Sequence, residues 1–323
     1  MRDKVFVSRP LPDALIATLV QHMDVQIWQG KSAPSREQLI DAVKDCNGLL
    51  CMLTEKIDQS VLDACPKLRV ISSMSVGVDH IDVTALTARE IRLGHTPGVL
   101  VETTADLAFS LLLAAARRIP EADRFVRDGH WESQNRWAPD MFLGKDVAGS
   151  TLGIIGLGQI GQAVARRAAG FNMRVLSWTR SSRQVPGIEA VEFGQLLKAS
   201  DFVSVHVALT DQTRNLIDRA AIKKMKPGAV LINTARGGIV DELSLAQALL
   251  EGRLFAAGLD VFSEEPVQTD NPLLDLPNVV LAPHVGSASE DTRNKMAEIA
   301  VENLRLGLAS QPMLHSVNFG PFA

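Results

Sequence analysis

Over the first hundred positions, short apolar runs at residues 4–8, 24–28, 48–53 and 68–73 alternate with amphipathic stretches at 13–23, 35–46, 58–65 and 79–90. The runs predict strands and the stretches predict helices, in repeated strand–helix–strand units. Units of this kind build a parallel sheet with helices on both faces. The rhythm restarts at "TLGIIGLG" and continues through predicted strands near 173–178, 202–207, 229–234, 256–261 and 278–282. The pattern therefore predicts an α/β chain with two doubly wound parallel-sheet domains.

Between the two rhythms the spacing predicts a helix over about 103–118, ended by Pro120, and then the irregular segment "RDGHWESQNRWAPDMFLGKDVAGS". A stretch so long is uncommon as a compact connection, so it is expected to be an arm or a contact surface. A last helix is predicted from Ser287, where Ser287 and Glu290 have capping-box spacing, to about Ser310. It places Met296, Ile299, Ala300, Leu304 and Leu308 on one stripe. The short tail after it is expected to pack back onto the first domain. The expected division is thus 1–99 with 287–323 as one discontinuous domain and 100–286 as the other.

Composition narrows the partners. With 323 residues, 46% of them hydrophobic, the chain is long enough for two cores. A net charge of −4 with both signs interspersed leaves no footprint for nucleic acid or anionic lipid, which points to a small-molecule partner. The longest apolar run, "LAFSLLLAAA" at 107–116, is well short of the roughly 18 residues of a membrane span. The amino terminus has charges and prolines where an export signal needs an apolar core. Cys46, Cys51 and Cys65 are odd in number and lack metal-ligand spacing, so reduced structural thiols in a cytoplasmic protein are expected, and no metal site.

"GLGQIG", Gly156 to Gly161, directly follows the apolar run "TLGII" and directly precedes a stretch of helical spacing. In that context it predicts a dinucleotide site: Gly156 permits the turn, Gly158 lets a pyrophosphate approach the backbone, and Gly161 lets the helix pack close. About 20 residues further on, an Asp or Glu would bind the ribose hydroxyls of NAD. Here the stretch reads "SWTRSSR". Thr179, Ser181 and Ser182 can donate to a 2′-phosphate, and Arg180 and Arg183 can supply its countercharge. NADPH is the expected cofactor, with NADH the alternative.

Three distant segments complete the chemistry. "NTARGG" puts Arg236 just past one predicted strand, "LDVFSEEP" puts Glu265 past the next, and "LAPHVGS" puts His284 past the one after. Ligands of open parallel sheets bind at the carboxyl ends of strands, so these three are candidates for one crevice. An Arg can hold a carboxylate and polarise a carbonyl, a His can move the hydroxyl proton, and a Glu can orient that imidazole and favour its charged form.

The segments "SVGVDHID", "TPGVLVETTADLAF", "TLGIIGLGQIG", "LINTARGGIVDE", "AAGLDVFSEEP" and "LAPHVGSASEDTR" occur in this order along nearly the whole chain. In them the chain resembles the D-isomer-specific 2-hydroxyacid dehydrogenases, and among these most the glyoxylate/hydroxypyruvate reductases. The resemblance implies a flavodoxin-like substrate domain with a Rossmann coenzyme domain, reducing small 2-keto acids. It implies Arg236 as the residue that binds carboxylate and polarises carbonyl, His284 as the acid/base, and Glu265, rather than its neighbour Glu264, as its partner. It puts the backbone of Val76 and Gly77 on the substrate carboxylate. It places Thr104, Gly158, Gln159, Ile160, Thr234, Asp260 and Gly286 near the cofactor, with Ala208 in the loop that meets the nicotinamide, where many members have Pro. It further implies a homodimer in which the segment around 119–147, with Trp131 and Trp137, reaches the partner. Gln in place of Glu265 would mark formate dehydrogenases, and phosphoglycerate dehydrogenases often carry an added regulatory domain. A 2-ketogluconate reductase and a corepressor-like sensor of dinucleotides remain as alternatives.

Overall fold

The structure is a computed structural model and describes residues 2–134, 136–180 and 185–319. The chain forms two compact units, one made of residues up to Leu100 and from Ala288 onward, the other Val101–Ser287.

In the first unit, β1 (Lys4–Val7), β2 (Asp24–Ile27), β3 (Gly48–Cys51), β4 (Val70–Ser73) and β5 (Arg92–Gly94) form a parallel sheet in the order β2-β1-β3-β4-β5. That is the flavodoxin-like order. Alternate strand residues serve opposite faces. Phe6, Leu49, Ile71 and Leu93 pack with residues of α2 (Arg36–Val43), α3 (Gln59–Ala64) and α4 (Val83–Ala88). Val5, Val7, Leu50 and Val70 pack with residues of α1 (Asp13–Val20) and α11 (Glu290–Leu308), helices being numbered in chain order. Helix starts are set by side chains that accept from first-turn N–H groups: Ser35 in a capping box with Gln38, and Asp58 and Asp82 alone. Such a cap contributes about 1 kcal/mol. The tail lies along β5, where Val317 N–H donates to Leu93 O.

The second unit opens with α5 (Val101–Ala116) and α6 (Ile119–Arg127). Its seven strands are β6 (Thr151–Ile155), β7 (Arg174–Trp178), β8 (Glu189–Ala190), β9 (Phe202–Val205), β10 (Ala229–Asn233), β11 (Leu254–Leu259) and β12 (Val279–Leu281). They are all parallel, in the order β12-β11-β10-β9-β6-β7-β8. Residues of α5 and α7 (Gln159–Ala169) pack with Leu152, Ile154, Val230 and Ile232 on one face. On the other, Ile155, Val203, Leu231 and Leu259 meet residues of α8 (Phe193–Ala199), α9 (Arg219–Lys224) and α10 (Glu242–Leu250). The order reverses at β6, whose neighbours are β7 and β9, and such a switch point is where doubly wound sheets bind ligands.

Three expectations need correction. Pro120 does not simply end a helix: Arg118 adopts a left-handed backbone, φ 54°, and Pro120 sits in the first turn of α6, where its missing N–H costs nothing. The last helix is capped by Ser289, which accepts from Thr292 N–H, and not by Ser287. Strands β5 and β8 were not among the apolar runs. The three cysteines are free and buried. Among the described residues no helix is long and apolar enough to cross a membrane.

Candidate active site

At the end of β6 the backbone turns through Gly156 at φ +98°, a conformation that favours glycine, and a Cβ there would meet His206 O at 2.6 Å. A Cβ on Gly161 would collide with the carbonyl oxygen of Gly156, so helix and loop approach as closely as they do only without one. Gly158 differs: a Cβ on it would meet nothing within 4 Å. Gly158 is also the N-cap of α7, and no side chain caps that helix. First-turn N–H groups and the positive end of the helix dipole thus face an open place, a cradle for phosphate. Gln159 is exposed beside it and Ile160 packs against the core.

Past β7, Thr179 is half-buried and Arg180 is exposed, its Nη1 donating to Gln212 Oε1 at 2.7 Å. Ser181, Ser182 and Arg183 lie outside the described residues. Past β9, Ala208 is exposed, and its carbonyl accepts from Thr213 Oγ1 at 2.6 Å. Burial pushes the His206 imidazole down to about 4.

Arg236, Glu265 and His284 follow the ends of β10, β11 and β12. Arg236 follows Asn233, a buried side chain that accepts from Ala235 N–H and donates to Arg236 O, so both of its ends fix the turn. Arg236 itself lies close enough to Glu265 to act on its ionisation. Glu265 accepts from Phe262 N–H at 2.9 Å through Oε1 and from His284 Nδ1 at 2.6 Å through Oε2. Burial pushes the Glu265 carboxyl up, but the bonds from His284 and Phe262 outweigh it and hold the group below its ordinary value. His284 has a left-handed backbone, φ 54°, fixed by its N–H donating to Asp260 O at 2.8 Å. Strained backbone of this kind is common at functional sites.

Asp260 organises the same corner from beneath. It is 1% exposed, and its two oxygens accept from Val285 N–H at 2.7 Å and Gly286 N–H at 2.8 Å. Burial raises its carboxyl above the ordinary value despite those bonds. Gly286 O accepts from Thr104 Oγ1 at 3.0 Å, which ties α5 to the loop after β12. The Thr234 hydroxyl is buried and has no hydrogen-bond partner among the described residues. A buried orphan hydroxyl, an uncapped helix start and an open glycine fit a dinucleotide laid across these strand ends.

Val76 and Gly77 belong to the first unit, half-buried, just past β4. Among the described residues their N–H groups donate to no protein acceptor. Sequence reasoning missed Asn233 and Gln212. A polar residue closing the apolar run "AVLIN" was a signal for the first; the second acts 32 residues from Arg180 and left none.

The family model described as "D-isomer specific 2-hydroxyacid dehydrogenase, NAD binding domain" matches residues 109–286. A glyoxylate reductase of Korarchaeum cryptofilum is 49% identical over 308 residues, 94% of this chain and 92% of that protein. This chain belongs to the D-isomer specific 2-hydroxyacid dehydrogenase family. As a 2-hydroxyacid dehydrogenase it is an NAD(P)-dependent oxidoreductase acting on the CH–OH group. Two solved structures extend the likeness. A Thermus thermophilus protein is 44% identical, with a TM-score of 0.91 and coverage of 97% of this chain and 99% of that one. The NADPH-dependent glyoxylate/hydroxypyruvate reductase of Sinorhizobium meliloti, solved with NADP and malonate, is 32% identical, with a TM-score of 0.87 and coverage of 98% and 97%.

Proposed function

We propose that this dehydrogenase reduces small 2-keto acids, glyoxylate and hydroxypyruvate, to glycolate and D-glycerate, with NADPH preferred over NADH. The observation that carries the reading is the His284–Glu265 pair at 2.6 Å with Arg236 beside it, on three successive strand ends. The curated glyoxylate reductases and the Sinorhizobium enzyme support the choice of substrate.

Bound nicotinamide would supply the hydride that reaches the carbonyl carbon. Arg236 holds the substrate carboxylate and draws electron density toward the carbonyl oxygen, the use to which a fixed guanidinium is best suited. A carboxylate can only accept from Nδ1, so that nitrogen of His284 carries a proton and Nε2 is left to protonate the substrate oxygen. Glu265 fixes that tautomer and compensates the imidazolium. The N–H groups of Val76 and Gly77 take the substrate carboxylate. Gly156, Gly158, Gln159, Ile160, Gly161, Thr104, Ala208, Thr234, Asp260 and Gly286 hold the dinucleotide, and Thr179, Arg180, Ser181 and Arg183 take the 2′-phosphate that distinguishes NADPH.

The working form is proposed to be a cytoplasmic homodimer. Ile119, Val126, Trp131, Trp137 and Leu143 are all exposed, the two Trp at 59% and 78%, in the segment proposed to cover a second copy.

Initial rates on glyoxylate, hydroxypyruvate and 2-ketogluconate, each with NADPH and NADH at equal concentration, test the reading. Fast turnover of the small acids with NADPH supports it. Turnover of 2-ketogluconate alone, or preference for NADH, redirects substrate or cofactor, and no turnover at all favours a sensor in the same fold.

A further inference from the structure

The turn carrying Val76 and Gly77 is held from behind by three bonds. Ser75 O accepts from Thr96 N–H at 2.8 Å, Val76 O lies 3.0 Å from His95 Nδ1, and Gly77 O accepts from Ser75 Oγ at 2.8 Å. In a trans peptide the N–H points opposite to the C=O. Pinning the Ser75 carbonyl therefore aims the N–H of Val76, and pinning the Val76 carbonyl aims the N–H of Gly77. A carbonyl can only accept, so His95 Nδ1 carries the proton.

The same logic orders the second group of contacts. Ser75 spends its one hydroxyl proton on Gly77 O, so across the 2.7 Å contact between the two hydroxyls Ser73 donates to Ser75. Ser73 has then spent its proton as well, and His80 Nε2, 3.1 Å away, must donate to it. His80, Ser73 and Ser75 form a one-way chain ending on Gly77 O.

We infer that His95 is a positioning residue that aims the Gly77 N–H at the substrate carboxylate, while the His80–Ser73–Ser75 chain fixes the next peptide, between Gly77 and Val78, and braces the turn from its far side. This rests on the proposed role of that N–H group. The support is rigid: His95 O accepts from Asn303 Nδ2 at 2.9 Å, and Asn303 is wholly buried on α11. The His95 backbone is thus held independently of its side chain, and losing the ring should not unfold the unit.

The test uses the full chain saturated with NADP and oxalate as an unreactive dicarboxylate, alongside glyoxylate kinetics. His95→Ala should weaken oxalate binding and raise the KM for glyoxylate roughly tenfold, the scale of one hydrogen bond, with a much smaller change in kcat, in the KM for NADPH and in Tm. His95→Asn, whose Nδ2 sits where Nδ1 did, should restore most of the loss, and Ser75→Ala, which frees only the Gly77–Val78 peptide, should have the smaller effect. Wild-type oxalate affinity in His95→Ala would overturn the inference. A parallel fall in Tm and in NADPH binding would do the same, by showing a merely structural role. If the wild-type chain neither binds oxalate nor reduces glyoxylate, the underlying reading has failed instead.

Discussion

His284 presents its Nδ1 proton to Glu265 Oε2 at 2.6 Å, joining the loop after β12 to the loop after β11. Because the carboxylate also accepts from Phe262 N–H, it is aimed before any substrate arrives. Glu265→Gln should keep the ring in place while removing the charge that compensates the imidazolium. We expect kcat for glyoxylate to fall about a hundredfold, with His284→Ala at least as severe, the usual scale of acid–base catalysis. A Glu265→Gln enzyme with wild-type kcat would exclude the pair from the proton transfer.

The same carboxylate makes a prediction for stability. Its folded pKa lies below the ordinary glutamate value of 4.5. Above pH 4.5 both folded and unfolded chains carry the charge, and the pair's contribution is fully present. As pH falls from there toward the lower folded value, the unfolded chain takes up the proton first and the contribution is lost. Denaturation of wild type and Glu265→Gln at a series of pH values should show a gap at neutral pH that closes on acidification through this window. A gap that widens would reverse the sign of the coupling.

The Arg236 guanidinium donates through Nη1 to Ala235 O at 2.7 Å, and the backbone that carries it is fixed as well. Asn233 clamps Ala235 N–H and Arg236 O, so the guanidinium starts from a fixed backbone. Arg236→Ala should cost a factor of roughly 100 to 1000 in kcat/KM, through both terms, and Arg236→Lys should recover little because a point charge lacks the planar fork. Substantial rescue by lysine in steady-state kinetics would mean that Arg236 supplies charge alone.

Both sheets were legible because parallel strands are buried on two faces and read as unbroken apolar runs. The exceptions have separate causes. Strand β8 has two exposed residues at a sheet edge and leaves no apolar signature, β5 is only three residues long, and α6 is amphipathic but has Pro120 in its first turn, which reads as a stop. The choice between Ser287 and Ser289 as cap is made by backbone geometry two residues apart, beyond the reach of spacing. At the site, Arg236, Glu265 and His284 stood out because each follows an apolar run. His95 and Gln212 did not, since what they do depends on partners brought near only by the fold.

Gly158 separates folding from binding in one position. It has φ −72°, ordinary for any residue, and a Cβ on it would point into open space. Gly158→Ala should therefore fold normally, even gaining about 0.4–1 kcal/mol from a stiffer unfolded chain. Its methyl group would stand where the pyrophosphate is proposed to approach, so the Kd for NADPH by fluorescence titration should rise at least tenfold. Gly161→Ala, which drives a methyl into the Gly156 carbonyl, should lower Tm by contrast. Unchanged NADPH affinity in Gly158→Ala would move the phosphate site off this helix start.

Arg180 tests the cofactor preference directly. Its guanidinium is exposed and anchored only by Gln212 among the contacts described for it, at 2.7 Å, so its loss should leave the fold untouched. If it meets a 2′-phosphate, Arg180→Ala should raise the KM for NADPH between about tenfold and a hundredfold, the range of a charge-assisted hydrogen bond, and leave the KM for NADH unchanged. Gln212→Leu should give a smaller rise, because it frees the guanidinium without removing it. Arg180→Asp should go further and favour NADH, since a carboxylate repels the phosphate and can accept from both ribose hydroxyls. Equal effects of Arg180→Ala on both cofactors would mean that the arginine touches only what NADPH and NADH share, and the preference would then have to come from elsewhere in "SWTRSSR".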